Sequence, residues 1–190
     1  MFYELELKSH IRVPPKSFQE DVEKAVLENL KLKYEGVISK HFGIIVCVNE
    51  VSKVGEGVII PGDGAAYYST NFKVISFKPE ISEVVLGKIT EITDFGAFFD
   101  MGAIDGMIHV SQTMDDFVTF QKTGVLTGKD SKRTLKAGDM CRARIVAISF
   151  KDMANPKIGL TMRQPFLGSL QFIDQEKTKK LKTKTTEKEK

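Results

Sequence analysis

Five short segments of strand composition, separated by turns that carry glycine, lie between Ser82 and Pro165, and their spacing restricts the fold more than any other feature. Residues 84–93, 95–101, 107–111, 140–149 and 157–162 are rich in β-branched and aromatic side chains, and five strands of this length suit a small closed barrel. Alternation along the third segment sends Ile108 and Val110 to one face and Met107 and His109 to the other. With the aliphatic face in the core, His109 is exposed. Gly96 is the expected site of a bulge or a close backbone approach, and a one-residue bulge would bring Phe95 and Phe98 onto one side. The two rings and the imidazole then make a platform on which bases could stack. The plainer alternatives are that the rings fill the barrel and that His109 is a structural hydrogen-bonding group.

The first 80 residues read as a different unit. Residues 1–13 alternate as a strand, Pro14-Pro15 stops it, and Ser17-Phe18-Gln19-Glu20 has capping-box spacing. Phe18, Val22, Ala25, Val26 and Leu30 then recur at helical spacing to about Lys33, an apolar stripe that needs a sheet to cover it. Strands expected at 34–40, 42–51 and 72–78 supply that sheet. The run Gly55-Glu56-Gly57-Val58-Ile59-Ile60-Pro61-Gly62-Asp63-Gly64 has two readings, a long hairpin with ordinary turn glycines or a projecting loop whose Val58, Ile59 and Ile60 plug into another protein. A phosphate-binding loop is disfavoured, because no Lys-Ser or Lys-Thr follows the glycines and Asp63 would repel phosphate. Pro79 marks the boundary. The expected class is therefore α+β in two domains: residues 1–80 with one main helix on an antiparallel sheet, and residues 81–170 as a five-stranded OB-fold barrel.

Charge and composition narrow the function. Residues 171–190 carry seven Lys and four acids, which leaves 21 bases and 21 acids in residues 1–170. A neutral body with an aromatic platform points to single-strand contacts rather than duplex binding through phosphates. The Lys-rich tail is expected to be disordered and solvated. No apolar run approaches the ~20 residues of a membrane span and the N-terminus is strand-like rather than a signal peptide, so no membrane role is expected. Cys47 and Cys141 read as buried free thiols. His10, His41 and His109 are dispersed, so neither catalysis, a metal nor a cofactor is expected; Asp115-Asp116 reads as a helix start. Residues 119–136 read as an insertion on a loop, and Arg142 and Arg144 share a strand face.

Gly87-Lys88-Ile89, the run 94–99, Gly106 to Ser111, Gly138-Asp139 and Ile158-Gly159-Leu160-Thr161 occur in the order of the S1-type RNA-binding OB fold, which this half resembles. With the 55–67 run, the string from Ile108 to Phe117 and Leu160 to Gly168, residues 1 to about 175 resemble one family, the larger stalk subunit of archaeal RNA polymerase, similar to the seventh subunit of eukaryotic polymerase II. The resemblance implies a non-catalytic subunit that pairs with a smaller, helical partner and docks on the polymerase core near the clamp. It binds emerging single-stranded RNA, in the cytoplasm of an archaeon or the nucleus of a eukaryote. It places docking at Gly55, Glu56, Gly57, Gly62, Asp63 and Gly64, and RNA contacts at Phe95, Phe98 and His109. Ser149 and Lys157 stand where the family has an acid and an arginine, a loss of directional contacts for which Arg142 and Arg144 could compensate. The alternative is an S1-domain adaptor of the exosome or of translation initiation.

Overall fold

The computed structural model describes residues 1–121, 124–152 and 156–174. The chain divides into two compact units that part between Lys78 and Pro79. Of the tail expected to be disordered, residues 171–190, the first four are helical with Ile173 buried, and residues from 175 onward lie outside the described residues.

In the first unit β1 (Phe2–Val13), β2 (Ile38–Ser39), β3 (Gly43–Ile59) and β4 (Ala66–Phe77) form an antiparallel sheet in the order β1-β4-β3-β2. β1 pairs with β4 without interruption from Phe2 opposite Phe77 to Val13 opposite Ala66. β3 behaves differently. Its register against β4 shifts at Ile45/Cys47, Val48/Glu50, Val51/Lys53 and Val54/Gly57, so an extra residue is accommodated about every third position. Ile45, Val48, Val51 and Val54 consequently all face the core, opposite Ser76, Val74, Phe72 and Thr70. The single helix α1 (Val22–Tyr34) covers this face with Ala25, Val26 and Leu30, all buried. The Glu35 carboxylate accepts the Val48 N–H at 3.1 Å, and the Tyr34 hydroxyl donates to Ser9 Oγ at 2.7 Å, which fixes the helix end to the sheet.

Four expectations are corrected here. The capping box at Ser17 is not used: Pro15–Ser17 is a 3-10 turn, Glu20 N–H bonds the Ser17 carbonyl, and the helix starts after Asp21. Phe18 and Val22, outside the packed turns, stay exposed at 46% and 42%. The strand expected at 34–40 shrinks to Ile38–Ser39, because the helix runs on to Tyr34 and turns out at Gly36. Cys47 is half-buried rather than buried, on the bulged stretch of β3.

In the second unit β5 (Val84–Ile92), β6 (Gly96–Asp100) and β7 (Asp105–His109) form a meander. A three-stranded sheet follows, β8 (Val118–Gln121), β9 (Val125–Gly128) and β10 (Thr134–Lys136), and then β11 (Met140–Ser149), β12 (Lys157–Thr161) and the short β13 (Gly168–Ser169). The order β12-β7-β6-β5-β11 closes on itself through β11–β12, with β12 parallel to β7, giving the five-stranded OB barrel. Ile89, Phe99, Ile108, Ile145, Ile158 and Leu160 fill it. The described part of the segment 119–136 is not merely a loop. Leu126 and Leu135, at 0% and 1% exposure, extend the barrel core into the small sheet, and that burial holds the segment in strands. Cys141 is also in this core, where burial pushes its thiol up to about 12.

Candidate nucleic-acid interface

β6 and β7 set the outer face of the barrel in register: Ala97 opposite Ile108 and Phe99 opposite Gly106 point inward, while Phe98 opposite Met107 and Gly96 opposite His109 point outward. Phe95 is 47% exposed, His109 is exposed and Phe98 is half-buried, so none of the three is a core residue. The rings of Phe95 and Phe98 meet edge to face with centroids 6.1 Å apart. The bulge expected at Gly96 does not occur. β6 pairs with β7 without a shift, and the irregularity lies on β5 at Ile89/Glu91; Phe95 reaches Phe98 because it sits in the turn before β6. Gly96 serves a close approach instead, since a Cβ there would overlap the Ile108 carbonyl oxygen.

Beside this face is a largely apolar cavity of about 590 Å³, lined in part by Phe98, Met107, His109, Gln112, Val146 and Lys157. Phe98, His109 and Lys157 are thus brought together, with Phe95 against the Phe98 ring at the margin. Arg142 and Arg144 do share an outward face of β11, but they stand opposite Leu86 and Val84 of β5 and do not line the cavity. Ser149 pairs with Lys157 across the β11–β12 ladder. The Ser111 N–H and hydroxyl both approach His109 Nδ1, at 3.3 and 2.8 Å. A nitrogen that accepts the Ser111 amide proton leaves the ring proton on Nε2. Such a site has flat groups for stacking, donors at one end and, in Lys157 and Asp105, one charge of each sign.

Asp115 and Asp116 start no helix: the 3-10 turn Val110–Gln112 precedes them. Asp116 instead accepts the Ser131 N–H and hydroxyl, both at 2.8 Å, together with the N–H groups of Phe117 and Asp130, and these bonds hold its carboxyl below the usual range. Asp115 pairs with Arg163 at 2.9 Å. Among the described residues no group of three His, Cys, Asp or Glu could hold a metal ion, and no helix is long and apolar enough to cross a membrane.

In the first unit, residues 55–68 lie on a hairpin: Gly55 to Ile59 end β3, Ala66 to Tyr68 begin β4, and residues 60–65 turn. Val58, Ile59 and Ile60 are nevertheless exposed, at 62%, 63% and 48%. Gly62 and Gly64 have φ of +96° and +69°, which favours glycine at both turn positions. Asp63 between them is gripped by Arg12 of β1, Nε at 2.9 Å and Nη2 at 2.6 Å, and by the Tyr67 hydroxyl at 2.6 Å. The Arg12 guanidinium and the Tyr67 hydroxyl hold the Asp63 carboxyl down at about 2. Sequence reasoning singled out Asp63 but not Arg12, which is distant in the chain and becomes its neighbour through β1–β4 pairing. It also left Gln112 out of the site. No local pattern marks that residue.

These two units define a class of protein, an α+β domain followed by an S1-type barrel. Residues 8–64 match the model described as the SHS2 domain found in the N terminus of Rpb7p/Rpc25p/MJ0397, and residues 78–153 match the S1 RNA binding domain. DNA-directed RNA polymerase subunit Rpo7 of Sulfolobus acidocaldarius is 34% identical over 177 residues, 93% of this chain and 97% of its own. Rpo7 of Saccharolobus solfataricus is 34% identical over 179 residues, 93% and 99%. DNA-directed RNA polymerase III subunit rpc8 of Schizosaccharomyces pombe is 35% identical over 95 residues, 47% of each chain. Among solved structures, the apo form of Mycoplasma genitalium RNase R aligns with 42% of this chain and 13% of its own, at 32% identity and a TM-score of 0.36. The chain belongs to the Rpo7 family of DNA-directed RNA polymerase subunits.

Proposed function

We propose that this chain is a non-catalytic stalk subunit of a cytoplasmic DNA-directed RNA polymerase, attached to the core near the clamp by the Gly55–Gly64 hairpin end, paired with a smaller helical subunit, and holding emerging single-stranded RNA on its barrel. The observation that carries this reading is the open face of the barrel: Phe95, Phe98 and His109 stand outside a core already filled by Phe99 and Ile108, beside a cavity that Lys157 also lines. Rings in that position stack on any base and discriminate weakly, which suits a transcript of arbitrary sequence passing over the surface. The hairpin end supports the docking half of the reading. Three consecutive exposed aliphatics are a liability unless another protein covers them. Arg142 and Arg144, on an outward face of β11, contribute phosphate attraction outside the cavity rather than contacts within it.

The test is affinity capture of the tagged full-length chain from native extract. Recovery of the large polymerase subunits with one small partner supports the proposal, whereas recovery of ribosomes or ribonucleases in their place contradicts it.

A further inference from the structure

The cavity beside the platform is chemically lopsided, and its polarity has a consequence for which bases it accepts. Gln112 is held at two points to the end of β12: its carbonyl accepts the Met162 N–H at 2.8 Å, and its side-chain Oε1 accepts the Thr161 hydroxyl at 2.8 Å. The Thr161 hydroxyl oxygen in turn accepts the Arg163 N–H at 3.3 Å, which leaves its proton available for the bond to Gln112 Oε1. With Oε1 committed, the side of Gln112 left for the cavity is its amide nitrogen, a pure donor that bonds no described residue. His109 adds a second donor, the Nε2 proton that remains when Nδ1 takes the Ser111 amide. The acceptor in the lining, the Asp105 carboxylate, is four residues back along the same strand, roughly 13 Å from His109 at the rise of a β-strand. It therefore does not share the base stacked on His109.

Resting on the proposal that this face holds RNA, we infer that Gln112 makes the barrel discriminate keto from amino nucleobases, favouring single-stranded RNA whose bases carry a carbonyl oxygen at the 4- or 6-position (uracil, or guanine) over bases that carry an amine there (cytosine, or adenine). A base stacked on Phe98 and His109 with O4 or O6 toward Gln112 receives a hydrogen bond. The exocyclic amine of cytosine or adenine at the same place sets donor against donor and leaves both unpaired. Stacking supplies affinity without regard to base, and the Gln112 amide adds the preference.

The experiment measures fluorescence anisotropy of labelled oligouridine and oligocytidine, each about 12 nucleotides and so within the span of one OB fold, with the full-length chain at one fixed salt concentration. Oligouridine is expected to bind about five-fold more tightly, the worth of one net hydrogen bond. Gln112→Glu is the decisive variant, because it keeps an oxygen for Thr161 and replaces the donor by an acceptor of the same shape; the preference should vanish or reverse toward cytidine while melting stays unchanged. Equal affinities in the unmodified chain, or a uridine preference that survives Gln112→Glu, overturn this inference and leave RNA binding intact. No binding of either oligonucleotide overturns the RNA reading as well.

Discussion

Phe98 and Phe99 are adjacent phenylalanines on opposite faces of one strand, and replacing each by alanine separates binding from folding. Phe99 is fully buried among Ile89, Ile108 and Leu160, so Phe99→Ala opens a cavity in the barrel and should cost about 3–5 kcal/mol of stability. Phe98 is half-buried and faces Met107, Phe95 and the cavity, so its truncation removes a stacking surface and only part of a packing contact. One lost base–aromatic stack is worth about 1–3 kcal/mol, which is roughly a 5- to 150-fold loss of affinity. Denaturant unfolding of the full chain and titration with labelled single-stranded RNA give both quantities. Phe98→Ala should lose RNA affinity while keeping most of its stability, and Phe99→Ala should fall in the unfolding assay. If Phe98→Ala unfolds as readily as Phe99→Ala and RNA affinity per folded molecule is unchanged, Phe98 belongs to the core and the platform does not exist.

Leu126→Ala should destabilise the second unit by about 2–5 kcal/mol, as a fully buried leucine does; a loss below about 0.5 kcal/mol, the range of a surface change, would return residues 119–136 to an independent loop. Ile59→Asp, at a side chain 63% exposed, should leave melting unchanged and abolish co-purification with the polymerase core, and retention on the core would remove the hairpin end from the docking surface. Because the Asp63 carboxyl is lowered in the folded chain to about 2, the hold of Arg12 and Tyr67 on the turn is complete above the unfolded carboxyl range, near 4, and is lost as pH falls toward about 2. Amide exchange at residue 63, whose N–H bonds the Ile60 carbonyl at 3.2 Å, should therefore stay slow, relative to its intrinsic rate, down to about pH 4 and quicken below it, and Asp63→Asn should be quick throughout; a profile flat across that range in both would mean the turn does not depend on the pair.

The barrel was legible because its strands keep a simple rule. The turns fell at Gly102, Gly138 and their neighbours, and the alternation around Ile108 placed His109 outside, where it is found. β3 was read short because its inward residues Ile45, Val48, Val51 and Val54 recur every third position, a period that belongs neither to a regular strand nor to a helix. Only pairing with β4 produces it. The same lengthening makes the glycine-rich run the end of a hairpin, one of its two readings, without covering its aliphatics. Phe95 and Phe98 do converge, for a different reason than the bulge first inferred. The pairings of Gln112 with Thr161 and of Arg12 with Asp63 were invisible as a matter of distance, for these bonds join residues 49 and 51 positions apart.

The division of labour between the two units is tested most directly by a pair of variants carried through two assays, association with purified polymerase core and binding of single-stranded RNA. Ile59→Asp should lose the core and keep RNA, while Phe95→Ala combined with Phe98→Ala and His109→Ala should lose RNA and keep the core. Loss of both activities in either folded variant, or loss of neither, would contradict the assignment of the two tasks to separate ends of the chain.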